Sequence, residues 1–156
     1  MVDTVLSGGW IIDGTRTPPY QADLCIQDGK IVAISPQWEG NCRTRVDVTG
    51  KIVSPGFIDI HTHGAYGFDT NDGDADGLRM WMKRIPEEGV TSILPTTVTQ
   101  LPDVLEKAVA NVARVTEAGY EGAEILGIHF EGPYLDMEYK GAQPPEAIAV
   151  PDVEQF

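Results

Sequence analysis

The apolar positions of the chain change their period near residue 54. Before it, they alternate with polar residues over short runs. After it, they follow longer units of strand and then helix spacing. Val2 to Ile12 alternates loosely, and Asp13-Gly14 and Thr17-Pro18-Pro19 mark a turn and a loop. Ala22, Leu24 and Ile26 share one face of a short run, and Lys30 to Ile34 form another. Asp28-Gly29 between them predicts a β-hairpin with a tight turn. Arg43 to Val48 and Ile52-Val53 read as further strands. This pattern predicts a small, antiparallel, β-sandwich-like domain over residues 1–53.

A different grammar follows over residues 54–156. Phe57 to His63 reads as a buried strand ending in a glycine- and aspartate-rich loop, residues 64–76. A helix N-capped by Asp72 or Asp74 runs to about Ile85, with Leu78, Trp81, Met82 and Ile85 on its core face. Thr91 to Thr96 is a second strand. Leu101 to Ala118 is a second helix, with Pro102 in its first turn and Leu105, Ala108, Val109, Val112 and Val115 on its apolar face. Glu124 to Phe130 is a third strand. The order β-α-β-α-β predicts an α/β fold of parallel strands joined by right-handed crossovers.

Charge and composition narrow the possible partners. The net charge is −13, which argues against nucleic acid and anionic membrane, since both need basic patches. No apolar run approaches the length that spans a bilayer, and the N-terminus carries no secretory signal pattern. The two cysteines, Cys25 and Cys42, do not make a disulfide framework. A cytoplasmic location is the expectation.

The candidate chemistry sits at strand ends. Two of the three histidines form His61-Thr62-His63 at the end of the first barrel-type strand. Strand parity puts both on one face, with Cα atoms roughly 6.6 Å apart, so two imidazoles can converge on one metal ion. An isolated H-x-H also fits a solvated strand edge. The third strand ends His129-Phe130-Glu131, and its imidazole and carboxylate again share a face. In a (β/α)8 barrel every strand C-terminus opens onto one face, so these residues would gather at one mouth. Imidazole and carboxylate together suit Zn²⁺. On this reading His61, His63 and Glu131 are metal ligands. His129 and Asp59 support them from behind. Lys140, the only cation of residues 132–143, is either a contact for an anionic substrate or a solvated lysine.

Three stretches carry a family resemblance. They are the D-V-T-G-K-I-V-S-P-G-F-I-D-I-H-T-H-G run, E-E-G-V-T-S-I-L-P-T-T-V-T, and G-I-H-F-E-G-P-Y-L followed by K-G-A-Q-P. The chain resembles the amidohydrolase superfamily, and within it the family that deacetylates N-acetylglucosamine 6-phosphate. The resemblance implies a cytoplasmic, homodimeric enzyme of amino-sugar catabolism that uses one or two divalent ions to release glucosamine 6-phosphate and acetate. It assigns His61, His63 and Glu131 to the metal and Ala142 and Gln143 to the sugar. Some members carry a histidine where this chain has Gln143. It implies a TIM-type (β/α)8 barrel of which this chain holds the first three βα units. The remaining histidine ligands and the catalytic aspartate belong to later strands. The expectation is an N-terminal portion that is inactive alone. The competing readings are an N-acetylgalactosamine-6-phosphate deacetylase, a dihydroorotase- or hydantoinase-like enzyme, and a non-catalytic fragment.

Overall fold

The structure, a computed structural model, describes residues 1–155. The chain divides into two compact units, Met1–Pro55 and Gly56–Phe156.

The first unit contains β1 (Val2–Ile11), β2 (Tyr20–Gln27), β3 (Lys30–Ser35), β4 (Cys42–Asp47) and β5 (Ile52–Val53). The hairpin forms as the Asp-Gly signal predicts, with Asp28 and Gly29 both at positive φ and Gln27 paired to Lys30. Two expectations fail. The strands form one five-stranded sheet, ordered β3-β2-β1-β4 with β5 also on β1, rather than a sandwich. They are also not all antiparallel, because β4 and β5 pair with β1 in parallel. The cause is the length of β1. Its ten residues offer a second edge to β4 at Val2–Ser7 and then to β5 at Trp10–Ile11. Residues 36–41 carry the chain back to the Val2 end, so β4 starts beside the start of β1 and runs with it.

One bulge organises this sheet. Leu6 pairs with Leu24 but Gly9 pairs with Ala22, which leaves one extra residue on β1. Gly8 takes φ 77° there, a conformation that side chains resist. Its N–H donates to the buried Asp23 carboxylate at 3.0 Å, which also accepts from the Trp38 N–H at 3.0 Å and from Arg45 Nη1 at 3.2 Å. Burial pushes the Asp23 carboxyl up, but the two N–H groups and the guanidinium outweigh it and hold the carboxyl below its ordinary value.

The second unit contains β6 (Phe57–Thr62), α1 (Ala75–Arg84), β7 (Val90–Thr97), α2 (Pro102–Ala118), β8 (Glu124–Ile125) and β9 (His129–Phe130). All its strand pairs are parallel, with β7 between β6 on one side and β8 and β9 on the other. Asp74 caps α1 by accepting from the N–H groups of Asp76 and Gly77. Leu78, Trp81 and Met82 of α1, with Ile85 just beyond its end, pack with Ile93 of β7, Val112 and Val115 of α2, and Ile125 of β8. The Trp/Met stripe is therefore core. On α2, Asn111 is buried where the pattern counts only apolar residues, and Val109 is half-buried. Asn111 Oδ1 accepts from Arg114 Nη2 at 2.8 Å.

Two expectations for this unit need correction. The third strand is broken, with residues 126–128 between β8 and β9. Ile93 pairs with Ile125 and Thr96 with His129, so the third strand carries one extra residue opposite Leu94 and Pro95. Pro95 has no N–H to give to a ladder, and the pairing lapses there. The first strand is not buried either. Among the described residues β6 pairs only with β7, and its Phe57, Ile58 and Ile60 side chains are exposed.

Candidate metal centre

The site is built where β6 leaves the sheet. Asp59 pairs with Ile93 but Thr62 pairs with Pro95, so β6 also carries an extra residue. The Asp59 carboxylate accepts the His61 N–H at 2.9 Å and the Thr62 hydroxyl at 2.6 Å. Asp59 thus braces the bulge that presents His61 through the main chain and the Thr62 hydroxyl rather than through an imidazole. His63 lies one residue beyond the strand. Its carbonyl accepts both the N–H and the hydroxyl of Thr70, each at 2.7 Å. The Asn71 amide accepts from Val98 N–H at 3.2 Å and donates to Val98 C=O at 2.9 Å, which ties this loop to the one after β7.

The structure brings together His61, His63 and Glu131. Glu131 Oε2 lies 3.0 Å from His61 Nε2 and 3.0 Å from His63 Nε2. One ligand atom from each of the three residues fits within a 4.8 Å span. His129 stands behind, with its ring edge-on to His61 at 4.7 Å between centroids. The hydrogen bond to His61, opposed by burial and aided by the two histidines and the Gln143 amide, holds the Glu131 carboxyl below its ordinary value. Glu131 is therefore ionised at neutral pH.

Thr96 orients the imidazoles. It lies at the end of β7 and is completely buried. His63 Nδ1 is 3.2 Å from the Thr96 carbonyl, which can only accept, so Nδ1 carries the proton. The Thr96 hydroxyl spends its hydrogen on the Leu94 carbonyl at 3.1 Å, so it accepts from His129 Nδ1 at 3.3 Å. In neutral His63 the lone pair is then on Nε2, facing the Glu131 carboxylate. Two lone-pair atoms 3.0 Å apart repel unless a proton or cation lies between them. Two imidazoles and a carboxylate, one ring fixed through its far nitrogen, suit a zinc-like ion.

The residues beyond Glu131 fold back over it. Gln143 is buried, and its Oε1 accepts the Thr99 N–H at 2.9 Å. Ala142 is exposed beside it. Lys140 donates to the carbonyls of Gly141 and Gln143, so its ammonium fastens its own loop. Nothing in the sequence separates Thr96 and Thr99 from the neighbouring Thr97. The available signal was position, because both lie at the C-terminal end of the strand between the two ligand-bearing ones.

Parallel strands that present histidines and a carboxylate from their C-terminal ends define a candidate metal site, and the chain belongs to the amidohydrolase family, whose model matches residues 52–154. N-acetylglucosamine-6-phosphate deacetylase of Bacillus subtilis (strain 168) is 43% identical over 137 residues, which are 84% of this chain and 34% of that protein. The solved N-acetylglucosamine-6-phosphate deacetylase from Pasteurella multocida matches with a TM-score of 0.83 at 29% identity, over 97% of this chain and 40% of that one. N-acyl-D-glutamate deacylase from Bordetella bronchiseptica, solved with zinc and a phosphonate mimic of the tetrahedral intermediate, matches with a TM-score of 0.59 at 25% identity. That match covers 86% of this chain and 32% of the other. The chain spans about a third of the length of the curated relatives it matches. Among the described residues, no helix is long and apolar enough to cross a membrane.

Proposed function

We propose that the full-length protein carrying this chain hydrolyses the acetamide of N-acetylglucosamine 6-phosphate to glucosamine 6-phosphate and acetate. The convergence of His61, His63 and Glu131 at neighbouring strand ends carries this reading. The 43% identity to the Bacillus subtilis deacetylase directs it to this substrate. In it, residues 1–53 are a separate β domain and β6 to β9 begin a (β/α)8 barrel. Closure of that barrel covers the exposed Phe57, Ile58 and Ile60. The complete enzyme is a cytoplasmic homodimer.

His61, His63 and Glu131 would hold a divalent ion, zinc by the chemistry of the donors. When bound, such an ion supplies Lewis-acid polarisation of an amide carbonyl and a lowered water pKa. The work of the chain's own residues is preorganisation. Thr96 fixes the tautomer of His63, Asp59 holds the bulge under His61, and the ionised Glu131 supplies the negative charge. His129 supports His61 from behind, and Ala142 and Gln143 lie on the sugar side.

The test is acetate release by the full-length protein, with metal present and after chelation, on N-acetylglucosamine 6-phosphate, its galactosamine epimer and the unphosphorylated sugar. Metal-dependent turnover that prefers the first substrate supports the proposal. Preference for the epimer reassigns the substrate. No turnover of any of them by metal-replete protein overturns it.

A further inference from the structure

Gln143 sits where the family resemblance implies a sugar contact, yet its carboxamide is committed elsewhere. The residue is 8% exposed. Its Oε1 accepts the N–H of Thr99, which is itself completely buried. Thr99 then turns to Glu131, because its hydroxyl donates to the Glu131 carbonyl at 3.0 Å. The Glu131 N–H meanwhile donates to the Thr97 carbonyl at 3.3 Å. Gln143, Thr99 and Glu131 form one connected set of buried and half-buried hydrogen bonds. Each member lies on a different segment: the loop before residue 145, the end of β7 and the end of β9.

Gly132 makes this clamp possible. A Cβ added there would lie 1.9 Å from Thr99 Oγ1, so any other residue would push the hydroxyl off the Glu131 carbonyl. Lys140 closes the set from outside by donating to the Gln143 carbonyl at 3.0 Å. The carboxamide N–H₂ is also turned to the Glu131 side chain as a hydrogen-bonding partner.

The geometry points to Gln143 as a positioning residue that, with Thr99, fixes the Glu131 carboxylate for the metal. This deepens the proposed function and rests on its metal site. A carboxylate whose backbone is fixed by Thr99, and Thr99 in turn by Gln143, has less freedom left to lose when it takes an ion, which favours binding. The amide has two N–H donors, so a further hydrogen remains for a ligand. Positioning and sugar contact are therefore separable by measurement.

The experiment measures zinc affinity by chelator competition, without sugar, in the full-length protein and its variants. It also measures KM for N-acetylglucosamine 6-phosphate at saturating zinc. Gln143→Leu keeps the volume and removes both polar ends, and it is expected to weaken zinc binding by about 10- to 100-fold, the range for lost outer-shell partners. Gln143→Glu keeps the Thr99 acceptor but brings a second carboxylate toward Glu131, and it guards against a folding failure of the leucine variant. Its zinc affinity is expected to change, while Thr99→Ser, which keeps both hydrogen bonds, stays near wild type. Unchanged zinc affinity in both Gln143 variants with a raised KM makes Gln143 a sugar contact only and overturns the inference. Wild-type protein that binds no zinc overturns the metal site itself, and the inference with it.

Discussion

His63 donates its Nδ1–H to the main-chain carbonyl of Thr96 at 3.2 Å, and the hydroxyl of the same Thr96 receives His129 Nδ1–H at 3.3 Å. One buried residue thus sets two imidazoles. The expected outcome by ¹⁵N NMR is the Nδ1–H tautomer for both rings in neutral, zinc-loaded protein. Thr96→Val removes the hydroxyl but not the carbonyl. It should leave the His63 signals in place and shift those of His129, and Thr96→Ser should restore them. The loss of one such hydrogen bond costs about 1 kcal/mol, read as a small drop in unfolding free energy.

Removing a ligand should act on the metal before anything else. His61→Ala, His63→Ala and Glu131→Ala are each expected to weaken zinc binding beyond the roughly 100-fold upper range for outer-shell partners. Deacetylation should fall in parallel. Circular dichroism should change little, because all three side chains lie at strand ends outside the apolar core. Asp59→Asn should act more mildly, through the His61 bulge it braces.

Gly132→Ala tests the clamp from the backbone side. The residue has φ 88°, and its new methyl would meet Thr99 Oγ1. The substitution should destabilise the protein by about 1–3 kcal/mol and weaken zinc binding. Adding Thr99→Ala removes the clashing hydroxyl. It should recover part of the stability but not the zinc affinity, since the bond to the Glu131 carbonyl stays lost.

Asp23 makes the first unit sensitive to acid. Its carboxyl is held below the ordinary value, so its folded form binds a proton less readily than the unfolded chain does. That stabilisation is complete above the unfolded pKa of about 3.9 and is lost as pH falls through the lower folded value. Asp23→Asn removes the anion shared by the Gly8 and Trp38 N–H groups and the exposed Arg45, and should cost about 1–3 kcal/mol near neutral pH. Urea unfolding of wild type and variant, followed between pH 7 and pH 2, should show the difference shrinking only at the acid end.

Much of this was legible in the chain because it depends on local rules. Asp28-Gly29 marked the hairpin, Pro102 one helix start and Asp72 or Asp74 the other, which the structure resolves to Asp74, and the Leu78/Trp81/Met82 stripe marked the core. The sharing of strand ends by His61, His63 and Glu131 followed from side-chain parity and the βαβ order. Pairing between distant residues was less visible. The bulges at Gly8 and after Asp59 depend on which partner strand lies opposite, and so does the break across from Pro95. The parallel placement of β4 depends on where a loop returns. The exposure of β6 depends on having one neighbour rather than two. Thr96 and Thr99 carried no distinguishing mark beside Thr97, because their roles depend on what the fold places within hydrogen-bond reach of their oxygens.

The most direct test of the account is anomalous diffraction at the zinc edge from crystals of the zinc-loaded full-length protein. The expected result is a peak bonded to His61 Nε2, His63 Nε2 and a Glu131 carboxylate oxygen at about 2.0–2.2 Å. His63 Nδ1 should still face the Thr96 carbonyl. A peak bonded to none of these three residues, or no peak in protein that turns over its substrate, would contradict it.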